Sequence, residues 1–265
     1  MSMYSMQNAL REASNYINKR IEDGSKPKIT VPHAVHILIV AISAAVIARQ
    51  INKKAGKNLI NEERAFVYGV LHDIGRYIVD ENKAGYPHTI AGYDLCMKLN
   101  MPLVAQICLT HAVLDTANVQ EYPNYTAEQL DFINNKMTVI KRSLYDDLIM
   151  LIDLHCRGDK VLPIKERLNK NKLFYNIAAK DYSAKYLDLY SEFTKKYGID
   201  IYQVCDFVAT HKNIMFKKFI PYCHGWLRYV CGDNTALHNQ LGLSYKIDVL
   251  NAYKNFLIQN GRGIR

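Results

Sequence analysis

The chain has no C-x-x-C pair, no block of five consecutive basic residues and no uninterrupted apolar run of bilayer length. Each absence removes a class of function. The six cysteines, at 96, 108, 156, 205, 223 and 231, are scattered. In a chain of this size that spacing predicts reduced, mostly buried thiols rather than a disulfide framework or a cysteine-built zinc site. Without a basic stripe or a recognisable nucleic-acid module, DNA or RNA is not indicated as a partner. The strongest apolar run, Ile37 to Ala48, falls short of the ~20 residues a bilayer span needs. It reads as a core helix. Residues Met1 to Arg20 lack the apolar centre of a signal peptide, so the expectation is a soluble cytoplasmic protein that contacts no membrane. Walker loops, dinucleotide fingerprints and nucleophile elbows are missing too. So are sustained period-two alternation and Asn-Gly or Asp-Gly hairpin signals, which predicts an all-α fold.

What remains is a globular composition of 265 residues, 49% hydrophobic and 22% charged, with a net charge of +9. The lysines are spread along the whole chain. Such a diffuse field raises the local concentration of phosphorylated ligands, or serves only solubility. Helical signals run in order. An amphipathic segment at Met6 to Glu22 ends at Asp23-Gly24-Ser25. Pro32 opens a helix reaching about Lys54 and stopping near Gly56. Asn61 caps a third helix, with Glu62 and Glu63 in its first turn. Further helices are expected at Thr89 to Leu99, Leu103 to Leu114, from Thr126, and at Leu144 to His155. In the tyrosine- and lysine-rich last third they are expected at Tyr182 to Tyr197, Ile201 to His211 and Ser244 to Gln259. No Gly/Ser/Pro-rich linker divides the chain. Residues 161–265 are therefore expected to be a helical extension packed on a domain formed by residues 1–160, with its core at about 30–160.

One stretch stands apart, Leu71-His72-Asp73-Ile74-Gly75-Arg76. The apolar Ala65 to Leu71 before it predicts a buried helix that delivers a His-Asp pair into the interior. Two such side chains need a partner there, and a cation suits both. A simple hydrogen bond at a helix end is the plain alternative for an isolated dipeptide. His36, His88, His111 and Asp153 change that balance, because each lies in a suitable context on another segment.

These pieces together resemble the HD-domain superfamily of metal-dependent phosphohydrolases, in its HDIG branch. The matching residues are His36-Ile37-Leu38-Ile39-Val40-Ala41 with Ala48, Leu71-His72-Asp73-Ile74-Gly75, His88-Thr89-Ile90-Ala91-Gly92, Ile107 to His111, and Leu151-Ile152-Asp153. The resemblance covers roughly residues 30–160. It implies a helical bundle with a metal site at its centre, and His36, His72, Asp73, His88, His111 and Asp153 as ligands. Histidine and carboxylate donors suit Fe, Mn, Co or Zn, with Mg possible. Four of the residues, His36, His72, Asp73 and Asp153, complete one metal position. His88 and His111 are surplus to it and point to a second ion, with Asp73 as the bridge. Two such ions share a hydroxide and clamp a phosphoryl group during in-line displacement.

Arg76 stands where the family usually has lysine, and it offers a cation to a phosphate oxygen. Lys83 and Arg167 are weaker candidates for that duty, Arg167 having a structural ion pair as its plainer role. His33, one helical turn before His36, is assigned to the surroundings of the site or to the surface. Gly85-Tyr86-Pro87 resembles a triplet of cyclic-dinucleotide-degrading relatives, but it precedes His88 and lacks their HHE motif, so that activity is not assigned. His155, His211, His224 and His238 read as core or surface histidines. The leading expectation is hydrolysis of a small phosphate ester or anhydride, such as a nucleotide. The same six ligands also suit diiron oxygenases of this superfamily that cleave C–C or C–P bonds. A binding or signalling module is the non-enzymatic alternative. Substrate identity and oligomeric state are left open by the sequence.

Overall fold

The computed structural model describes residues 31–77, 79, 87–114, 125–174, 182–212 and 215. The helices expected at Met6 to Glu22 and Ser244 to Gln259 lie outside the described residues, as do Lys83, His224 and His238. Within them the chain is almost wholly helical: α1 (Val31–Ala55), α2 (Glu62–Leu71), a 3-10 turn (Ile74–Tyr77), α3 (His88–Lys98), α4 (Pro102–Thr110), α5 (Ala127–Val139) and α6 (Leu144–Asp153), then α7 (Ile164–Phe174), α8 (Tyr182–Tyr197) and α9 (Ile201–Thr210). A two-residue hairpin, β1 (Cys156–Arg157) with β2 (Lys160–Val161), separates α6 from α7.

α1 is the axis. Ile37, Ile39, Val40, Ala41, Ile42, Ala44, Ile47 and Ala48 are all fully buried, so successive residues are covered on every face of the helix. α2, α6 and α9 supply the cover. The helix stops at Gly56, whose φ of +64° closes the turn, and Lys53 and Lys54 sit in its last turn against the negative end of the dipole. At 25 residues α1 is longer than its apolar run. Val35–Ala55 is long and apolar enough to cross a membrane by length and composition, but 78% of its most apolar window is buried inside this molecule. Burial, not shortness, assigns it to the core.

α2 starts as its sequence dictates, with the Asn61 side chain accepting from the Arg64 N–H at 2.7 Å. It crosses α1 closely because of Gly69: a Cβ there would stand 2.5 Å from the Ala41 Cα. The 3-10 turn then folds onto the start of α3. A Cβ on Gly75 would lie 1.8 Å from the His88 carbonyl oxygen and 2.6 Å from the Gly92 nitrogen. Gly75 therefore serves close approach. The left-handed conformations among the described glycines belong instead to Gly56, Gly158 and Gly198. α3 and α4 form a tight helical hairpin through Asn100, whose φ is +57°, with Pro102 opening α4. α4 ends at Thr110, four residues before the expected Leu114, so His111 is its C-cap. α5 begins with a reciprocal cap between Thr126 and Gln129.

Two elements had no forecast. The hairpin turns at Gly158-Asp159, Gly158 having a φ of +61°. Among the described side chains of α7 only Ile164 and Leu168 are buried, one turn apart, so its apolar signal is faint. A Glu166–Lys170 ion pair at 2.6 Å steadies its outer face. Beyond it Tyr186, Phe193, Ile199, Ile201, Cys205 and Val208 join the same buried cluster as α1 and α6.

A chain ended at Lys160 would uncover that face of α1 and α6. It is expected to lose solubility or to melt well below the full chain. An unchanged melting curve would instead make residues 161–265 a separate unit. The glycines give a graded test. Gly56 has no heavy atom within 4 Å of a Cβ, so Gly56→Ala should cost only ~1–2 kcal/mol, for its left-handed backbone. Gly69→Ala and Gly75→Ala must displace backbone and should cost ~3 kcal/mol or more in urea unfolding.

Candidate metal centre

Five of the six expected ligands sit at ends of elements. His72 follows the last residue of α2 and Asp73 comes next. His88 opens α3, His111 caps α4, and Asp153 closes α6. Only His36 lies within a helix, one turn and a half into α1. Three helix C-termini, those of α2, α4 and α6, thus abut one cluster. Their partial negative charge favours a cation there.

The structure brings all six together. Asp73, 3% exposed, is the hub. Its Oδ1 lies 3.1 Å from His88 Nε2 and 3.4 Å from His111 Nε2. Its Oδ2 faces the other way, 3.7 Å from His72 Nε2 and 3.8 Å from His36 Nε2. His36 Nε2 is in turn 3.1 Å from Asp153 Oδ1 and 3.3 Å from His72 Nε2. Two donor groups result, His36, His72 and Asp73 on one side and Asp73, His88 and His111 on the other. Asp153 stands beside the first.

The ring orientations are fixed from behind. His72 Nδ1 is 2.7 Å from the Gly69 carbonyl, and His111 Nδ1 is 3.1 Å from that of Ile107. A carbonyl only accepts, so each Nδ1 carries a proton, and in its neutral form each ring turns its Nε2 lone pair inward. Lone pairs from two rings and two carboxylates facing each other at 3.4–3.7 Å repel unless a positive charge lies among them. This donor set fits a transition-metal ion, with the His72 and His111 imidazoles oriented by backbone carbonyls, as metal-bound histidines are.

In the protein alone, protons and Arg76 provide the compensation. Burial works to raise the pKa of Asp73, but the charges of Arg76, His72 and His88 outweigh it and hold the carboxyl well below its usual value. Asp153 is held low against burial by hydrogen bonds from His36 and His72. For His72, burial lowers and the two carboxylates raise, with a net upward shift. Burial keeps His111 below its ordinary value.

Arg76 stands at the rim, 30% exposed at its side chain, with Nε 2.8 Å from Asp73 Oδ2. Its first contact is therefore the hub carboxylate itself. Arg167 is not among the groups gathered there; its Nη1 donates to Asn171 at 2.7 Å, an amide where an ion pair was expected. His155 is a core histidine, fully buried, with Nδ1 2.8 Å from the Leu162 carbonyl and its ring against Tyr190 and Tyr202. His211 is on the surface. His33 belongs to the surroundings of the site. It stacks on His36 at 5.9 Å and places Nδ1 3.9 Å from Asp73 Oδ2. Its spacing of three residues from His36 was the available signal, and burial brings its pKa down to about 3.

A family model described as the HD domain matches residues 34–153. That span starts just before His36 and ends on Asp153. No curated protein and no solved structure matches the chain.

The depressed histidines have a consequence for pH. Unfolded, His33 binds a proton below its ordinary pKa of 6.5; folded, it resists until about 3. The unfolded state therefore holds more protons in that window, and stability falls as pH drops. His111 and His155 act in the same direction, and His72 opposes them. The support from Asp73 and Asp153 is present above the ordinary carboxylate pKa and fades only as pH falls through their lower folded values. Chelator-treated protein should accordingly lose stability between pH 6.5 and 5, with His33 contributing up to ~1.4 kcal/mol per pH unit. His33→Gln should flatten that slope in urea titrations. An unchanged slope would mean that His33 is not the group responsible.

Proposed function

We propose, since this chain belongs to the HD domain family over residues 34–153, that it is a metal-dependent hydrolase of phosphate esters or anhydrides. Its substrate class is small phosphorylated metabolites such as nucleotides. One observation carries the reading: the two oxygens of Asp73 face two separate groups of imidazoles. A carboxylate so placed suits a bridge between two ions. His36, His72 and Asp153 would complete one position, His88 and His111 the other. The imidazole-rich set favours Fe, Mn, Co or Zn over Mg, which prefers oxygen donors. When bound, such ions supply Lewis acidity towards a phosphoryl oxygen and lower the pKa of water towards neutrality.

The protein's own residues would divide the remaining work. His72 and His111 are sealed from solvent, whereas His88, Asp153 and Arg76 have side chains 17%, 19% and 30% exposed. Substrate would therefore approach past these three. Arg76 would meet a dianionic phosphoryl group with positive charge while steadying Asp73, two tasks for which a planar guanidinium has enough donors. The positive field of the chain would draw anions to that opening.

The test combines metal content with an anaerobic assay. Protein purified without chelator should carry two transition-metal ions per chain. Supplied with Mn, Co or Fe, it should release phosphate from a panel of nucleotides and sugar phosphates without dioxygen. Chelation should abolish turnover and added metal restore it. Asp73→Ala should reduce the rate by a larger factor than His88→Ala or His111→Ala, since it alone contacts both groups. Strict dependence on dioxygen in the iron-loaded protein would sink hydrolysis in favour of oxygenase chemistry.

A further inference from the structure

We infer that Asp146 and Arg142, neither of them among the ligands, are positioning residues that set His111 and thereby tune the second metal position independently of the first. The inference rests on the two-ion reading above.

Asp146 is a carboxylate with no exposure at all. Burying a charge costs several kcal/mol unless its oxygens are satisfied, and these are. Oδ2 accepts from the Ser143 N–H at 2.7 Å, the Ser143 hydroxyl at 2.6 Å and Gln106 Nε2 at 2.9 Å. Oδ1 accepts from the Thr110 hydroxyl at 2.6 Å. The same hydroxyl is 3.0 Å from the Gln106 carbonyl; having one proton, it gives it to the shorter, charge-assisted contact. Gln106 and Thr110 lie one turn apart on α4, and Thr110 is the residue directly before His111. Ser143 and Asp146 begin α6. The carboxylate thus ties the end of α4 to the start of α6.

Arg142 ties the same place a second time. Its Nη1 donates to the carbonyls of Thr110 at 3.3 Å and Val113 at 3.1 Å, which bracket His111. Its Nε is held by Asp147 Oδ1 at 2.9 Å. The last carbonyls of a helix have no partner within the helix. A guanidinium there satisfies them and opposes the dipole. Thr110 is therefore fixed through both side chain and carbonyl, one peptide from the ring whose Nε2 faces Asp73 Oδ1 at 3.4 Å.

The first donor group does not depend on this tie. His36 rides on α1, and His72 is set by the Gly69 carbonyl. Asp153 lies at the far end of α6, past Leu148, Ile149, Met150, Leu151 and Ile152, all fully buried. Loosening the tie should therefore loosen one metal position selectively.

Metal-stripped protein is titrated with Co(II) and followed by visible absorption and by equilibrium dialysis, with circular dichroism melting to verify the fold. The wild type should take up two ions in two steps. Thr110→Val removes a single hydroxyl at nearly constant shape. It should weaken the second step about 10- to 100-fold, the usual effect of losing a ligand's orienting partner, and leave the first unchanged. Arg142→Met should do the same, and Thr110→Ser, which keeps the hydroxyl, should restore both steps. Two unaltered steps in Thr110→Val and Arg142→Met would overturn the inference. So would equal weakening of both steps, which marks a merely structural role. A wild type that binds a single ion would overturn the inference and the two-ion reading together.

Discussion

A carboxylate buried among imidazoles is the constraint on which this structure turns. Asp73 has almost no contact with solvent, and its two oxygens meet five histidine nitrogens and one guanidinium. A lone carboxylate there would take up a proton rather than remain charged. The surrounding cations keep it ionised, and it in turn holds the rings about itself. The bundle must therefore deliver side chains from α1, α2, α3 and α4 to within 4 Å of one carboxyl group. Apolar packing alone is indifferent to such a requirement.

Close backbone approach meets that demand. Gly69 lets α2 settle on α1 at Ala41, which sets His72 against His36. Gly75 lets the following turn settle on α3 at His88 and Gly92, which brings His88 to the opposite side of Asp73. The two glycines flank the His-Asp pair, each pressed against the element that carries one of its partners. Spacing between helix axes, not turn conformation, is what both residues control.

The clustered His and Asp side chains were legible in the sequence because several combine an uncommon residue type with a recognisable neighbourhood: His72-Asp73 closing an apolar helix, Asp153 closing another, His36 entering the longest apolar run. The caps were legible for the same local reason, Asn61 and Thr126 being followed by residues that suit a first turn. The extent of α4 was not, since Ala112, Val113 and Leu114 continue its apolar character past the point where His111 ends it. α7 escaped because two buried residues make no periodic pattern. Arg76 shows the limit most clearly. Its position predicted a cation beside the site, and the cation is there. That it grips Asp73 is a fact about a folded turn, and i,i+3 spacing alone assigns no partner. The buried tie at Asp146 is further from reach, because its donors come from two segments about 40 residues apart.

The two donor groups differ in the number of donors the chain supplies, and the difference has a physical meaning. The first gathers a ring without exposure, His72, His36 from the central helix, and Asp153, whose side chain is 19% exposed. The second pairs a sealed ring, His111, with His88, which opens α3 at the rim. An ion in the first group would have four donors from the chain, including a second carboxylate. An ion in the second would have fewer donors from the chain and would leave coordination free for an incoming ligand. Catalytic metals keep such an open position and structural ones close it. Because one carboxylate serves both groups, whatever fixes the second position must do so without disturbing the first. Anchoring His111 from behind, through the end of α4, satisfies that condition; altering Asp73 or Arg76 would not.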